Sequence, residues 1–284
     1  MKEKLDLASM VGFAGAIAAL LLFTMASGSN FHTILSLPPT VFIVVGSFAV
    51  TMVGFSLQDC GMLYWLVIEA FIEPEDRRQE IAEIFAQAAE RMRKAGTLAV
   101  ESMRASIPYS IIRKGLALVV DGTTPRIIRD FMNKESERKL YPYEFGINFF
   151  RKMGGTSPTL GIVGTVVGLM SALSNLTESG QIGGSIAGAF VATLWGVAFA
   201  NAVCFPIASK LEYRKRVIEE ELEMIYHGFI SVERGASKRA VEEKMASYVS
   251  TGTDDKMAVS GNGKERSWRR SFRSTWSARQ EELS

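Results

Sequence analysis

What most constrains this chain is where its cations are absent. Between Leu5 and Asp76 there is neither Lys nor Arg, and between Met153 and Ser209 the only charged residue is Glu178. All 32 Lys+Arg fall elsewhere: 2 in residues 1–4, 15 in 77–152 and 15 in 210–284. A water-soluble domain spreads cations over its whole surface, so this segregation excludes a simple cytosolic globule. The formal net charge of +2 excludes a nucleic-acid binder built on overall basicity, because it supplies almost no attractive field.

Four stretches are long enough to cross a bilayer, which takes about 20 apolar residues at about 1.5 Å each. Leu7–Ala26 and Pro39–Leu57 carry no charge at all. The run Met153–Ser209 divides at the polar, glycine-rich stretch 175–184 into spans over roughly 157–174 and 185–206. The first stretch follows Lys2 and Lys4 as a signal peptide would, but it is too long and a second span follows closely. The connections 27–38 and 175–184 hold no Lys or Arg. By the positive-inside rule both termini and residues 58–152 are cytoplasmic.

The spacing predicts an all-α integral membrane protein. Residues 1–57 carry the first two transmembrane helices, 58–156 a helical cytoplasmic domain, and 157–206 the third and fourth spans. Residues 207–248 continue the fourth span as a cytoplasmic helix, and 249–284 form a basic tail expected to be mostly disordered. Within the middle domain, Pro74 with Glu75 and Asp76 signals a helix start. Gly96 interrupts that helix, Ser110–Val120 is another stopped by Asp121-Gly122, and Thr124-Pro125 opens a fourth. Leu211, Ile218, Leu222, Ile225 and Phe229 keep helical spacing beyond the fourth span, with Glu212 and Arg216 an i, i+4 pair. In the tail, Trp268, Phe272 and Trp276 among arginines could lie on an anionic membrane surface as an amphipathic helix.

Nothing supports an enzyme. Cys60 and Cys204 are too far apart in topology for a disulfide, and His32 and His227 fall on opposite sides of the membrane, so no metal spacing exists. Chemistry, if any, lies in the spans. Small residues permit close helix approach in lipid, and Gly184, Gly188, Ala192, Gly196, Ala200 and Cys204 recur every fourth residue, opposite a third span with Gly161, Gly164 and Gly168. Most such stripes serve only packing. Pro158 and Pro206 each remove a backbone N–H near one membrane face, which makes a kink or a hinge. Thr165 lies on nearly the same helical face as Pro158, and Thr193 borders the small-residue stripe; together they could line a polar path. Spans three and four contain no carboxylate, Lys, Arg or His. A titratable group for ion movement would therefore come from another chain.

Three motifs in order resemble the MotA type of flagellar stator subunit over residues 1–245. They are Arg93-Lys94-Ala-Gly96-Thr-Leu-Ala-Val-Glu101, Gly155-Thr-Ser-Pro158-Thr-Leu-Gly161-Ile-Val-Gly164-Thr165-Val-Val-Gly168, and the run from Ile186 through Thr193, Gly196, Asn201 and Pro206 to Lys210. The resemblance implies a subunit of the inner membrane. It further implies a homopentamer around a MotB-like, peptidoglycan-anchored partner that carries a membrane aspartate. Ion flow, proton favoured and sodium possible, would drive torque on a FliG-like rotor switch-complex protein. By the same resemblance Arg93, Lys94 and Glu101 are torque charges, Pro158 and Pro206 coupling prolines, and Thr165 and Thr193 ion-path hydroxyls. No cofactor, metal or nucleic acid is implied. The competing reading is an ExbB- or TolQ-like motor subunit energising outer-membrane processes, against which the count of four spans argues. A self-contained channel is disfavoured by the lack of intramembrane charge.

Overall fold

The computed structural model describes residues 37–174 and 179–258, together with scattered helical positions between Val11 and Ala26. Most of the first expected span, the connection 27–36 and the tail 259–284 with its tryptophans lie outside the described residues. Every element described is helical: α1 Leu37–Met52, α2 Leu57–Cys60, α3 Leu63–Ala70, α4 Arg78–Arg104, α5 Ser110–Val120, α6 Pro125–Ser174, α7 Ser179–Phe199, α8 Phe205–Glu233 and α9 Lys238–Ala258. A π-helical turn, Ala200–Cys204, joins α7 to α8. The described chain forms two compact units, residues 1–76 with 126–223, and residues 77–125 with 224–284.

In the first unit, α6 and α7 form an antiparallel pair whose contact is set by glycines. A Cβ at Gly161 would lie 3.1 Å from the Ala192 carbonyl oxygen, one at Gly164 2.7 Å from Ala192 Cβ, and one at Gly168 2.7 Å from Ala189 Cβ. α1 runs antiparallel to α6, with Gly46 facing Leu160 and Phe42 near Gly164. Among the described residues two helices are long and apolar enough to cross a membrane, Pro125–Ser174 and Ile182–Glu233. α1 has 16 residues, about 24 Å of helix. It stops short of the expected Leu57 because Gly54 N–H bonds back to the Thr51 carbonyl at 3.1 Å, tightening the last turn. Phe55 then tucks inward, 5.4 Å from both the Phe145 and Phe149 rings.

Ile162, Val163, Val166, Val167, Met170 and Leu173 stay exposed along α6, as a lipid- or partner-facing surface requires. The core sits at the other end of the unit, where Leu66, Phe149 and Leu211 are fully buried. At its edge Glu69 of α3 accepts a hydrogen bond from the Tyr143 hydroxyl of α6 at 2.7 Å and pairs with Arg214 of α8. Arg214 also donates to the Ile72 carbonyl at 3.0 Å. Burial and the adjacent Glu69 carboxylate push the Tyr143 hydroxyl up from its ordinary range.

The third span is not a separate helix from the one opened by Pro125. α6 runs 50 residues through Pro142 and Pro158, so residues 126–156 belong with the spans in the first unit. Likewise Glu212 does not hold Arg216. It pairs across helices with Arg151 at 2.6 Å, a tertiary contact overriding the local spacing.

In the second unit, α4 starts at Arg78 and not at Pro74, with no side-chain cap at Arg77. Its N-terminal part buries Ile81, Phe85, Ala88 and Ala89. Phe85 meets Phe229 edge-on at 5.2 Å. Gly228 makes room for that ring, since a Cβ there would come 2.5 Å from it. α5 covers the expected Ser110–Val120, ended by Gly122 at φ 68. α9 packs along α4, fastened by Arg78 donating to the Tyr248 carbonyl at 3.2 Å and by Lys238 to Glu90 at 3.0 Å. It continues to Ala258, past the expected end at 248, because extending an existing helix costs far less than nucleating one.

Candidate functional site

Close backbone approach between α6 and α7 brings the two predicted threonines together. The Thr165 and Thr193 hydroxyls are hydrogen-bonded to each other. Thr165 Oγ1 also lies 3.0 Å from the Gly161 carbonyl and 3.1 Å from the Ala189 carbonyl, while Thr193 Oγ1 is 3.4 Å from the same Gly161 carbonyl. A residue larger than Gly161 would separate the helices and break this arrangement, since its Cβ would press on backbone atoms of Ala192 and Thr193. Each hydroxyl has one proton and two lone pairs. Two protons cannot serve all these acceptors at once, so at any moment lone pairs remain open. The pair can rotate to donate to an incoming carboxylate or offer oxygen to a cation.

One turn from Gly161, toward the core, lies a residue the sequence did not single out. Ser157 is fully buried and donates to the Gly196 carbonyl at 2.9 Å. Asn201, quoted only as part of a motif, donates from Nδ2 to the Val197 carbonyl at 2.9 Å. Both acceptors precede the π turn, in which the Phe205 N–H reaches five residues back to the Ala200 carbonyl. Pro206 has no N–H to return to residue 202, and widening the turn relieves the clash its ring would make with that carbonyl. The side chains of Ser157 and Asn201 thus bond carbonyls beside an irregular stretch of backbone. Pro158 lies beside Gly196, and Gly154 beside Phe205. The two prolines are therefore staggered along the pair, not level with each other.

The small-residue stripe of the fourth span divides in two. Gly196 would place a Cβ 2.8 Å from the Ser157 carbonyl oxygen, so its half is used against α6. Gly184 and Gly188 have nothing within 4 Å, and their half faces away from the described chain.

The predicted charges sit in the second unit, on both sides of a real break. Gly96 has φ 73 and ψ −164 inside α4. Such a left-handed φ is free for glycine and costs other residues. Arg93 and Lys94 precede the kink and are exposed; Glu101 follows it and is held by Arg104 one turn on. Leu98, 83% exposed, projects between them. Lys94 bonds Glu90 at 2.6 Å, and with Lys238 it holds that carboxyl down at about 2. All three charges are exposed, two before the kink and one after it, and two of them, Lys94 and Glu101, are tethered by neighbours. Among the described residues, no group of His, Cys, Asp and Glu is arranged to hold a metal ion.

The model of the MotA/TolQ/ExbB proton channel family matches residues 103–224. Motility protein A of Treponema phagedenis is 30% identical over 249 residues, covering 86% of this chain and 94% of that protein. The chemotaxis protein PomA of Vibrio alginolyticus is 28% identical over 248 residues, covering 87% and 97%. The flagellar MotAB stator complex from Bacillus subtilis superposes with a TM-score of 0.78 at 28% identity, covering 89% of this chain and all of that one. An identity of 30% sustained over nearly the whole of a relative, with the fold of a solved stator complex, leaves one conclusion: the chain belongs to the MotA family of flagellar motor stator subunits.

Proposed function

We propose that this stator subunit crosses the bacterial inner membrane four times, with both termini in the cytoplasm. It assembles as a homopentamer around a MotB-like partner anchored to peptidoglycan, and a carboxylate of that partner carries the ion beside Thr165 and Thr193. The observation that carries this reading is the contact between those two hydroxyls in two stretches, 157–174 and 185–206, that hold no carboxylate, Lys, Arg or His of their own. Hydroxyls alone do not hold an ion in hydrocarbon without a countercharge. The similar Bacillus structure, a complex of two kinds of subunit by its name, supports a second chain as the source.

Protons are the favoured ion, since a threonine pair can serve a carboxylate that is simply protonated. Protonation there alters how the partner's helix sits against α6 and α7. Pro158, Pro206 and the π turn between α7 and α8 supply backbone that yields at low cost. The displacement reaches the kinked surface of Arg93, Lys94 and Glu101, which press on a FliG-like rotor protein by charge. The chain performs no catalysis and takes no cofactor.

The test is Thr165→Val and Thr193→Val, alone and together, co-expressed with the partner. Valine keeps the shape and removes the hydroxyl. Loss of about 1–2 kcal/mol of hydrogen bonding at the site should lower ion influx about tenfold or more in the double variant, at normal membrane levels. Thr165→Ser should conduct nearly as the parent does. Influx in the double variant equal to that of the parent would overturn the assignment.

A further inference from the structure

Three helices of the first unit meet at one small polar cluster. α3 is the last helix before the crossing that follows Asp76, α6 begins at the crossing that precedes Arg126, and α8 runs through the crossing that follows Glu223. On these three helices, all within the first unit, sit Glu69, Tyr143 and Arg214. One carboxylate oxygen, Glu69 Oε1, accepts from the Tyr143 hydroxyl at 2.7 Å and pairs with Arg214, whose other nitrogen donates to the Ile72 carbonyl at 3.0 Å. The side chains of Arg214 and Glu69 are 10% and 17% exposed. Around them pack Leu66, Ala70, Phe145 and Leu211.

Such a cluster is a poor way to gain stability. Removing two charges from water costs about as much as their attraction returns, and an apolar trio of the same volume would serve as well. It is also incompletely satisfied, because Glu69 Oε2 and Arg214 Nε are buried without a hydrogen-bond partner. What an ion pair supplies that an apolar contact does not is direction. A guanidinium between a carboxylate and a carbonyl fixes the rotation and register of its helix, whereas leucines slide past each other. Arg214 lies on α8, only eight residues beyond Pro206 and the π turn. It stands on the α-helical stretch past that irregular turn.

We infer that Glu69, Tyr143 and Arg214 are positioning residues for torque. They clamp α8 to α3 and α6 within the first unit, so that a movement at the π turn moves the three helices together and is not dissipated by α8 slipping in its seat. The clamp touches neither the ion nor the rotor. It rests on the stator reading above, and it separates two quantities that reading leaves joined: ion conduction, which the clamp does not govern, and the torque obtained from it.

The experiment uses the full chain with its partner in cells lacking their own stators. The main variant is the double substitution Glu69→Gln with Arg214→Gln, which removes both charges without leaving either one buried alone; Tyr143→Phe is the milder companion. Membrane level, partner co-purification, ion influx and torque per stator unit at high load are measured together. Coupling networks of this kind typically shift an equilibrium by a factor of about two to ten. Torque per unit should fall by that much in the double variant and less in Tyr143→Phe, with influx and partner binding kept. Glu69→Arg with Arg214→Glu should recover part of the loss. The inference is overturned if torque per unit is unchanged at normal membrane levels, or if torque and influx fall in the same proportion in Tyr143→Phe and in the double variant. If the parent chain itself drives no rotation, the stator reading fails instead.

Discussion

Gly196 and Gly188 belong to one stripe in the sequence, yet they face different surroundings. A methyl at Gly196 would press on the Ser157 carbonyl oxygen and on Gly161 Cα, 2.8 and 3.2 Å away. Both are backbone atoms, and they move only if α6 moves. Gly196→Ala should therefore cost about 1–3 kcal/mol and lower the thermal stability of the purified complex. Gly188→Ala meets nothing within 4 Å in this chain, and it should leave the stability of the subunit unchanged. If it nonetheless weakens assembly, the outer half of the stripe is a seat for another chain. A scan of melting temperature and of partner co-purification over the two variants checks both outcomes. The spacing made the glycines, the prolines and the threonine pair legible, because each depends only on which face of a helix a residue occupies. It could not reveal Ser157, whose hydroxyl matters because the Gly196 carbonyl, 39 residues later, lies within reach.

At the scale of elements, the contact of α9 with α8 includes a histidine. His227, near the end of α8, stacks between the Tyr226 ring at 5.4 Å and the Tyr248 ring of α9 at 6.0 Å. Burial, helped by the charge of Lys244, pushes its pKa below the usual imidazole range. The folded state therefore favours neutral His227. Its contribution is complete above the unfolded value of about 6.5 and is lost as pH falls below it. Amide exchange over residues 241–248 should be faster at about pH 5.5 than at about pH 7.5, and His227→Phe should remove the difference. An equal dependence in that variant would show that another group is responsible. Glu90 behaves oppositely. Lys94 and Lys238 lower its pKa to about 2, so its contribution is present above the unfolded value and fades only as pH falls toward that figure. The break at Gly96 was legible, because glycine inside an amphipathic run has one main structural meaning. The unbroken α6 was not: prolines argue for a stop at 142 and 158, yet a helix packed among others can run through them.

For the whole molecule, the decisive feature is a division of labour readable from charge alone. The stretches 157–174 and 185–206 hold hydroxyls and glycines but no carboxylate, Lys, Arg or His, while residues 1–4, 77–152 and 210–284 hold all the cations. Membrane character follows from that arithmetic. The grouping of residues 126–156 and 207–223 with the spans does not, nor does the meeting of Glu69, Tyr143 and Arg214, because pairings between residues 74 and 142 positions apart leave no local trace. In the proposed reading this subunit shapes an ion path without supplying the ion-binding charge. Ion flux into liposomes decides the matter, with the full chain reconstituted alone and together with its partner at matched protein density. Background flux is expected for the chain alone and flux well above background for the complex, lost again when the partner's membrane carboxylate is replaced by its amide. Flux through the chain alone that equals that of the complex would contradict it.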